Sequence, residues 1–252
     1  MSKLRLVQGA GRTQAFAPAT RSLVLNGELI IYGVIDPYVS NDFETTVRAI
    51  DVMASLVELA DSKTIVVRIN SPGGSVVEGL AIYNLLRNAR KRIEVHVDAA
   101  AYSIASIIAM AGDTVIMSET ASIMAHDPWG VAVGRSEDMR RNADEIDRLK
   151  GILVGIYADK TGLERAEIEA LMTAETYLSA ADAVEAGFAD KIENALQIAA
   201  YVPLPSEVLA RLIRSPAGSS PRPRATAPRA ASIADVTRIL MRMRMRTAGM
   251  KL

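Results

Sequence analysis

Hydrophobic residues along the first four fifths of the chain alternate between two kinds of spacing. Short runs of apolar and β-branched residues predict buried strands, and stretches with apolar residues three and four positions apart predict helices. The predicted strands are 28–35, 64–69, 93–97, 114–117 and 122–125; the predicted helices are 45–60, 76–90, 103–111, 136–161 and 165–172, with a last helix and strand within 180–193. This alternation predicts an α/β fold with a mostly parallel sheet covered by helices.

The composition changes near residue 214, which predicts the end of the folded domain. We expect a flexible N-terminal segment at 1–20, a folded domain at 21–214 and a linker rich in Pro, Arg and Ala at 215–231. In the last segment, 232–252, apolar residues recur at helical spacing beside arginines, which indicates a basic amphipathic segment. From residue 214 onward there are nine basic residues and one acidic residue, a net charge of +8 within a chain that is neutral as a whole.

Composition excludes several kinds of chemistry. The chain has no cysteine, which excludes disulfides, thiolate zinc sites and a cysteine nucleophile. It has two histidines, His96 and His126, too few for a multi-histidine metal cage. The N-terminus lacks the apolar core of a signal peptide, and the longest uncharged run, 99–112, is shorter than the roughly 20 residues of a membrane-spanning helix. These features predict a cytoplasmic protein that does not enter a membrane.

A glycine pair marks the turn between the predicted strand 64–69 and the next helix. The sequence Ser-Pro-Gly-Gly-Ser at 71–75 includes Gly73 and Gly74, which allow positive φ and close approach by another chain. Their N–H groups would lie near a helix N-terminus, where an oxyanion is favoured. A plain strand-to-helix turn explains the motif equally well. The dinucleotide fingerprint and the phosphate-binding loop fit no glycine-rich stretch of the chain.

A serine, a histidine and a carboxylate follow in that order. Ser103 lies where a predicted strand gives way to a helix, a position that suits a nucleophile, although an N-cap role is the commoner one for a lone serine. Ser106 is the competing serine. His126 follows a predicted strand and suits a general base, whereas His96 lies inside a strand and is expected to pack or face solvent. The candidate orienting acids are Glu175, Asp127 and Asp182.

The order and wording of these motifs resemble the ClpP-like serine peptidase family. The matching stretches are RINSPGGS at 68–75, the serine segment with MAGD at 110–113, SIMAHDP at 122–128 and ETYLSAADAVEAGFADKI at 175–192, within a resemblance that covers about 25–195. It implies a ClpP/crotonase-like spiral of βαβ units with a long handle helix, predicted at 136–161. The wording is most similar to phage head-maturation (prohead) proteases.

The resemblance implies a role for each motif. Ser103 would be the nucleophile, His126 the general base and Glu175 the orienting acid, although the family usually has aspartate there. The oxyanion hole would use the N–H groups of Gly74, with Gly73 adjacent, and Ile104. Substrate would bind as an added strand along residues Ser75, Val76, Asp127, Pro128 and Trp129. No metal or organic cofactor is needed.

The expected function is therefore a serine endopeptidase that processes phage capsid or scaffold protein, in the host cytoplasm or procapsid. The family implies a homo-oligomeric ring and an AAA+ ATPase partner that this chain does not encode. The basic tail would contact capsid, scaffold or nucleic acid. Three alternatives stay open: a crotonase-type acyl-CoA enzyme, a Ser–Lys peptidase, and an inactive ClpP-like capsid-assembly protein that binds scaffold.

Overall fold

The structure, a computed structural model, describes residues 20–38 and 45–193. Ten strands lie in this part of the chain: β1 (Val24–Leu25), β2 (Glu28–Tyr32), β3 (Val34–Ile35), β4 (Thr46–Val47), β5 (Thr64–Ser71), β6 (Arg92–Tyr102), β7 (Thr114–Ser118), β8 (Ser122–Ala125), β9 (Thr176–Ser179) and β10 (Lys191–Glu193). The helices in the same ranges are α1 (Ala49–Glu58), α2 (Val76–Arg87), α3 (Ile104–Ala109), α4 (Ser136–Thr161), α5 (Arg165–Thr173) and α6 (Ala180–Glu185).

One large sheet organises the fold, in the order β1-β2-β5-β6-β7-β10. The long strand β6 serves two partners, because its first half pairs with β7 and its last residues pair with β8. Strand β9 then adds to β8 in antiparallel fashion, and β3 and β4 form a separate parallel pair. The β1–β2 and β8–β9 pairs are antiparallel and the other strand pairs of both sheets are parallel, so the predicted α/β fold with a mostly parallel sheet is confirmed.

The apolar core lies between this sheet and the helices. Strand β5 shows the arrangement most clearly, since Ile65, Val67 and Ile69 on one face are fully or almost fully buried while the alternate residues are half-buried. Every residue of α3 is buried, and its sequence, IASIIA, is apolar except for Ser106. Alternation of period two in a strand and a helix that is apolar on nearly all sides are typical of elements buried in a core.

Several predicted boundaries are wrong, and the reasons are local. The predicted strand 28–35 is two strands in two sheets, because Gly33 has a φ of 109° and the chain turns beside Thr45. The predicted helix 45–60 begins only at Ala49, since Thr46 and Val47 pair with β3. Strand β6 continues to Tyr102, five residues past its predicted end. Strands β1 and β9 were not predicted at all.

The long helix α4 has the predicted bounds, 136–161. At its start the backbone N–H of Arg135 donates to the Asp138 Oδ2 at 3.0 Å, and the helix ends at Gly162, whose left-handed φ of 72° suits glycine. Its first half is largely exposed and its second half buries Leu153, Val154 and Tyr157. No helix within the two described ranges is both long and apolar enough to span a bilayer. The linker predicted at 215–231, the basic segment at 232–252 and all but the last residue of the segment at 1–20 lie outside the described residues, as does the predicted domain end at 214.

A buried ion pair fixes the start of α1. Asp51 is fully buried and accepts hydrogen bonds from Arg48 Nε at 2.8 Å and from the backbone N–H of Arg21 at 2.9 Å. Desolvation raises the pKa of Asp51, but these hydrogen bonds and charges outweigh it and hold the pKa below its usual range. We expect Asp51→Ala to lower the free energy of unfolding by about 3 kcal/mol, because it leaves the Arg48 guanidinium without its buried counter-charge.

Chemical denaturation monitored by circular dichroism measures this effect. The matched control is Glu145→Ala, which removes an exposed carboxylate that also contacts an arginine, Arg148, at 2.6 Å. Water screens that exposed pair, so the control should change stability very little. An equal loss of stability in both variants would contradict the prediction that the buried ion pair of Asp51 contributes more to the free energy of unfolding than an exposed pair does.

Candidate active site

Strand register brings a serine and a histidine together. Tyr102, the last residue of β6, pairs with Met124 of β8, and the backbone N–H of Ser103 donates to the Met124 carbonyl at 2.8 Å. The two strand ends therefore lie side by side, and the residues that follow them meet. The Ser103 Oγ lies 2.7 Å from the His126 Nε2, within hydrogen-bond distance. Both side chains are half-buried.

The backbone at Ser103 has an unusual conformation. Its φ is 55° and its ψ is −128°, a region that a residue with a side chain rarely occupies. Such strain costs on the order of 1–3 kcal/mol and persists only where the surroundings enforce it. Ser103 occupies the N-cap position of α3, yet its side chain makes no capping hydrogen bond. The N-cap interpretation of this serine is therefore wrong, and the hydroxyl is directed to His126 instead.

The glycine pair lies directly against this turn. A Cβ atom added to Gly73 would approach within 2.8 Å of the Ser103 Cβ and 3.3 Å of the Ile104 nitrogen. Gly74 is held by Ile35, whose N–H donates to the Gly73 carbonyl at 2.9 Å and whose carbonyl accepts from Ser75 at 2.7 Å. The small β3–β4 sheet thus positions the glycine turn.

Two backbone N–H groups at this point have no acceptor among the described residues: those of Gly74 and Ile104. The N–H of Gly73 differs, because it donates to the Ser71 Oγ at 3.1 Å. Of the three residues proposed for an oxyanion hole, Gly74 and Ile104 therefore keep a free donor, and Gly73 contributes space rather than a hydrogen bond. Free donors beside a nucleophile can bind the negative charge that forms during acyl transfer.

The candidate orienting acids lie in different environments. Glu175 is exposed, adopts a left-handed φ of 50° and, among the described residues, makes no hydrogen bond to His126. Asp127 contacts Lys150 at 2.9 Å and Thr173 at 3.1 Å. Asp182 accepts from the Ser179 hydroxyl at 2.7 Å, within the cap of α6. Asp127 and Asp182 thus accept hydrogen bonds from other groups, while the negative charges of Glu175 and, to a smaller extent, Asp127 act on His126.

Burial dominates the acidity of the histidine. Desolvation lowers the pKa of His126 below its usual value of about 6.5, and the charges of Glu175 and Asp127 offset this only in part. At neutral pH the imidazole is consequently uncharged. A neutral imidazole with Nε2 facing a hydroxyl is the form that accepts a proton from it.

The other histidine and the competing serine are not part of the Ser103–His126 site. His96 is half-buried on the sheet, with its ring nitrogens 3.0 Å from Glu94 and 3.3 Å from Glu193. Ser106 is completely buried and its Oγ contacts other polar groups of the interior, so it cannot meet a substrate. Of the lysines considered for a Ser–Lys dyad, Lys150 contacts Asp127 and Lys160 contacts Asp190, which disfavours both; Lys191 is the first residue of β10.

A groove of about 320 Å³ begins at the glycine turn. Ser75, Val76 and Trp129, which the sequence predicted to bind substrate, line it; Asp127 does not, and Pro128 is buried. The other walls include Val77, Val131 and Ile146, and of these three Ile146 was not predicted. Helix α4 supplies Ile146 together with Leu149, at the spacing of one helix face. That spacing was visible in the sequence, but which neighbour the face meets was not.

An α/β fold with a serine and an uncharged histidine in hydrogen-bond contact, beside two free backbone amides, has the arrangement of a serine hydrolase. A protein-family model described as Clp protease matches residues 25–195, which is more than half of the chain. The chain therefore belongs to the Clp protease family. Members of this family are serine-type peptidases that typically form oligomeric rings and cleave protein substrates.

Proposed function

We propose that this chain is a serine endopeptidase that cleaves peptide bonds through an acyl-enzyme. One observation carries the proposal: the Ser103 Oγ lies 2.7 Å from the His126 Nε2, and the backbone of Ser103 has a strained conformation. Neither the strained backbone of Ser103 nor the lack of a capping hydrogen bond from its side chain stabilises the fold. Both are explained if this conformation positions the hydroxyl for reaction. Family membership supports the same reaction class.

The reaction begins with proton transfer from the Ser103 hydroxyl to the His126 Nε2 as the oxygen attacks a peptide carbonyl carbon. The carbonyl oxygen becomes negative and receives hydrogen bonds from the N–H groups of Gly74 and Ile104. The imidazolium then donates its proton to the leaving amine, which leaves Ser103 acylated. Water, deprotonated by the same imidazole, hydrolyses the ester and restores the serine.

Substrate is proposed to bind as an extended strand in the groove between the glycine turn and the loop after His126. This loop exposes apolar side chains at alternating positions, Trp129, Val131 and Val133, with exposed fractions of 75%, 84% and 92%. Alternating apolar side chains on a segment that pairs with no strand within the described residues favour strand addition, in which a peptide supplies the missing partner. The walls contributed by Val76 and Ile146 favour apolar substrate side chains.

The third residue of the triad is proposed to be Glu175, and its role has a defined pH signature. The neutral His126 is the active form, so the rate should fall as pH drops through the pKa of His126. Glu175 raises that pKa, since its negative charge stabilises the imidazolium. We expect Glu175→Gln to move the acid limb of the kcat/KM profile to lower pH and to reduce the maximal rate by about 10²-fold.

Steady-state hydrolysis of a fluorogenic peptide between pH 4 and 9 measures both effects. The matched control is Asp182→Asn, whose carboxylate is held in the cap of α6 and should leave the acid limb in place. An unshifted limb in Glu175→Gln combined with a downward shift in Asp127→Asn would assign the electrostatic role to Asp127 instead.

The proposed physiological substrate is a phage capsid or scaffold protein, processed during head maturation. Support comes from the wording of the motifs and from the basic segment 232–252, which would bind an acidic surface of capsid, scaffold or nucleic acid. The proposed location is the host cytoplasm or the procapsid. A proteolytic site within a closed assembly also limits cleavage to proteins that enter it.

We further propose that the protein acts as a homo-oligomeric ring, in which α4 is the handle between rings. The first half of this helix is largely exposed on the isolated chain, and Met139 and Ile152 expose apolar side chains along it. A second subunit would cover these side chains. An AAA+ ATPase that delivers folded substrates is a further proposed partner.

Co-expression with the capsid and scaffold proteins of the corresponding phage tests the substrate assignment. Wild-type protein is expected to shorten one of them, at a site that mass spectrometry identifies, and Ser103→Ala should leave both at full length. Equal processing in the two cultures would contradict the nucleophile assignment. An active peptidase that leaves both proteins intact would contradict the capsid role alone.

A second candidate is an inactive ClpP-like protein that assembles capsids without cleaving them. The observation in its favour is that Glu175 is exposed and makes no hydrogen bond to His126 within the described residues. Wild-type protein that binds capsid or scaffold but hydrolyses no peptide at any pH would establish this candidate. A crotonase-type acyl-CoA enzyme has no such support, because it does not require the Ser103–His126 contact.

A further inference from the structure

A fully buried hydroxyl pair lies beneath the candidate nucleophile. Ser106 of α3 is 0% exposed and Tyr157 of α4 is 2% exposed, and their oxygens are 2.7 Å apart. The Tyr157 ring also packs against Phe188, with ring centroids 5.4 Å apart. Burial raises the pKa of the Tyr157 hydroxyl, so it stays protonated. A buried hydroxyl pair costs desolvation free energy that an apolar pair of the same shape would not. The presence of this pair in the core therefore requires an explanation.

The hydrogen-bond directions in this pair follow from counting protons. The Ser106 Oγ lies 2.5 Å from the Ser103 carbonyl oxygen and 3.1 Å from the Met124 carbonyl oxygen, and carbonyls only accept. Ser106 has one hydroxyl proton, which it must donate to these carbonyls. Tyr157 must therefore donate to Ser106. The result is a directed chain from the middle of α4 to the two strand ends that carry Ser103 and His126.

The Ser103 carbonyl has particular importance because it belongs to the same peptide group as the Ile104 N–H. A peptide group is planar and trans, so its C=O and N–H point in opposite directions. Holding the carbonyl therefore aims the N–H. The Ile104 N–H is one of the two free donors beside the candidate nucleophile. The Ser106 hydroxyl donates a hydrogen bond to the carbonyl oxygen at the opposite end of the same peptide group.

We infer that Ser106 and Tyr157 are positioning residues that aim the Ile104 N–H at the oxyanion and hold Ser103 in its strained conformation. This inference rests on the proposed peptidase function. It gives the competing serine of the nucleophile segment a role that does not involve substrate contact. It also links the catalytic turn to α4, the helix whose other end is largely exposed.

Two conservative variants of the full-length chain test the inference: Tyr157→Phe, which keeps the ring and removes the hydroxyl, and Ser106→Ala. Complete loss of an oxyanion donor reduces kcat by about 10²- to 10³-fold, so a misdirected donor should reduce kcat roughly tenfold while KM stays within about twofold. A peptide aldehyde, whose serine adduct carries the same oxyanion, should bind about tenfold more weakly to both variants. The corresponding peptide alcohol, which forms no adduct, should bind as before. The double variant should match Ser106→Ala, because the two hydroxyls act in one chain.

The matched control is Ser55→Ala, which removes another fully buried serine hydroxyl with two hydrogen bonds, from the Leu23 N–H and to the Asp51 carbonyl. Ser55 lies in α1, a helix that carries no residue of the candidate site. It should lower the melting temperature and leave kcat and aldehyde affinity unchanged. Wild-type kinetics in Tyr157→Phe and Ser106→Ala, or loss of aldehyde and alcohol affinity together, would overturn the inference alone. A wild-type chain without Ser103-dependent hydrolysis would overturn the proposed function and, with it, this inference.

Discussion

Ser103→Ala is expected to reduce the kcat for hydrolysis of a peptide substrate by on the order of 10⁵-fold, with little change in KM. The reason is that the hydroxyl which contacts the His126 Nε2 at 2.7 Å is the only group in the described structure placed to form the acyl-enzyme. The substitution removes one oxygen from a half-buried position, so the fold should survive. Rapid-quench kinetics with a chromogenic peptide ester would show the second consequence, loss of the acylation burst.

The matched control for this prediction is Ser62→Ala, in the turn after α1. Within the described part of the chain, only the backbone N–H of this serine makes a hydrogen bond, to Leu59. Its kinetics should equal those of the wild type. Residual hydrolysis by Ser103→Ala above about 1% of the wild-type rate would mean that another group attacks the substrate. Ser106 is not that group, because it is completely buried.

Gly74→Ala is expected to reduce kcat by about 10³-fold, the second largest effect that we predict. Its φ of 149° disfavours a side chain, and an added Cβ would overlap the Ile35 carbonyl oxygen and lie 2.9 Å from its carbonyl carbon. Both atoms belong to backbone that cannot rotate away. The glycine turn must therefore move, and the Gly74 N–H moves with it, so the oxyanion loses a donor. Peptide hydrolysis and a thermal melt measure activity and stability separately.

The control for this variant is Gly151→Ala, in the middle of α4. A Cβ at that position has no heavy atom within 4 Å, and alanine suits a helix better than glycine, so the free energy of unfolding should rise by about 0.5–1 kcal/mol with activity unchanged. Full activity in Gly74→Ala would contradict the assignment of this N–H to the oxyanion hole. If kcat falls in Gly74→Ala but the affinity for a peptide aldehyde does not, the substitution displaces the substrate and does not remove an oxyanion donor.

The sequence was informative about elements whose signals are local. Helix α4 has a periodic pattern of 26 residues and a glycine in the left-handed conformation at its end, and both of its bounds were predicted. Strand β9 was missed because its pairing with β8 is not encoded in a local pattern. The break at Gly33 was hidden in a continuous apolar run, since it depends on the approach of Thr45 from another part of the chain.

The candidate site also combines features that the sequence indicates with features that only the fold explains. Motif order singled out Ser103 and His126, but only the pairing of Tyr102 with Met124 explains why residues 23 positions apart meet. The resemblance assigned the oxyanion donor to Gly74, but the physical difference between the two glycines is visible only in the fold: Gly73 donates to Ser71, whereas the Gly74 N–H has no acceptor among the described residues. Nothing in the sequence indicated that Tyr157 reaches Ser106, 51 residues away, since that contact depends on how α4 packs on α3.

Labelling with a serine-directed fluorophosphonate tests the central claim most directly. The account predicts a single phosphonyl adduct on Ser103, located by peptide mapping, that forms in the wild type, is absent in Ser103→Ala and is strongly slowed in His126→Ala. The reagent needs an activated serine and free oxyanion donors but no knowledge of the natural substrate. A folded wild-type protein that remains unlabelled, or that carries its adduct on a different serine, would contradict the account.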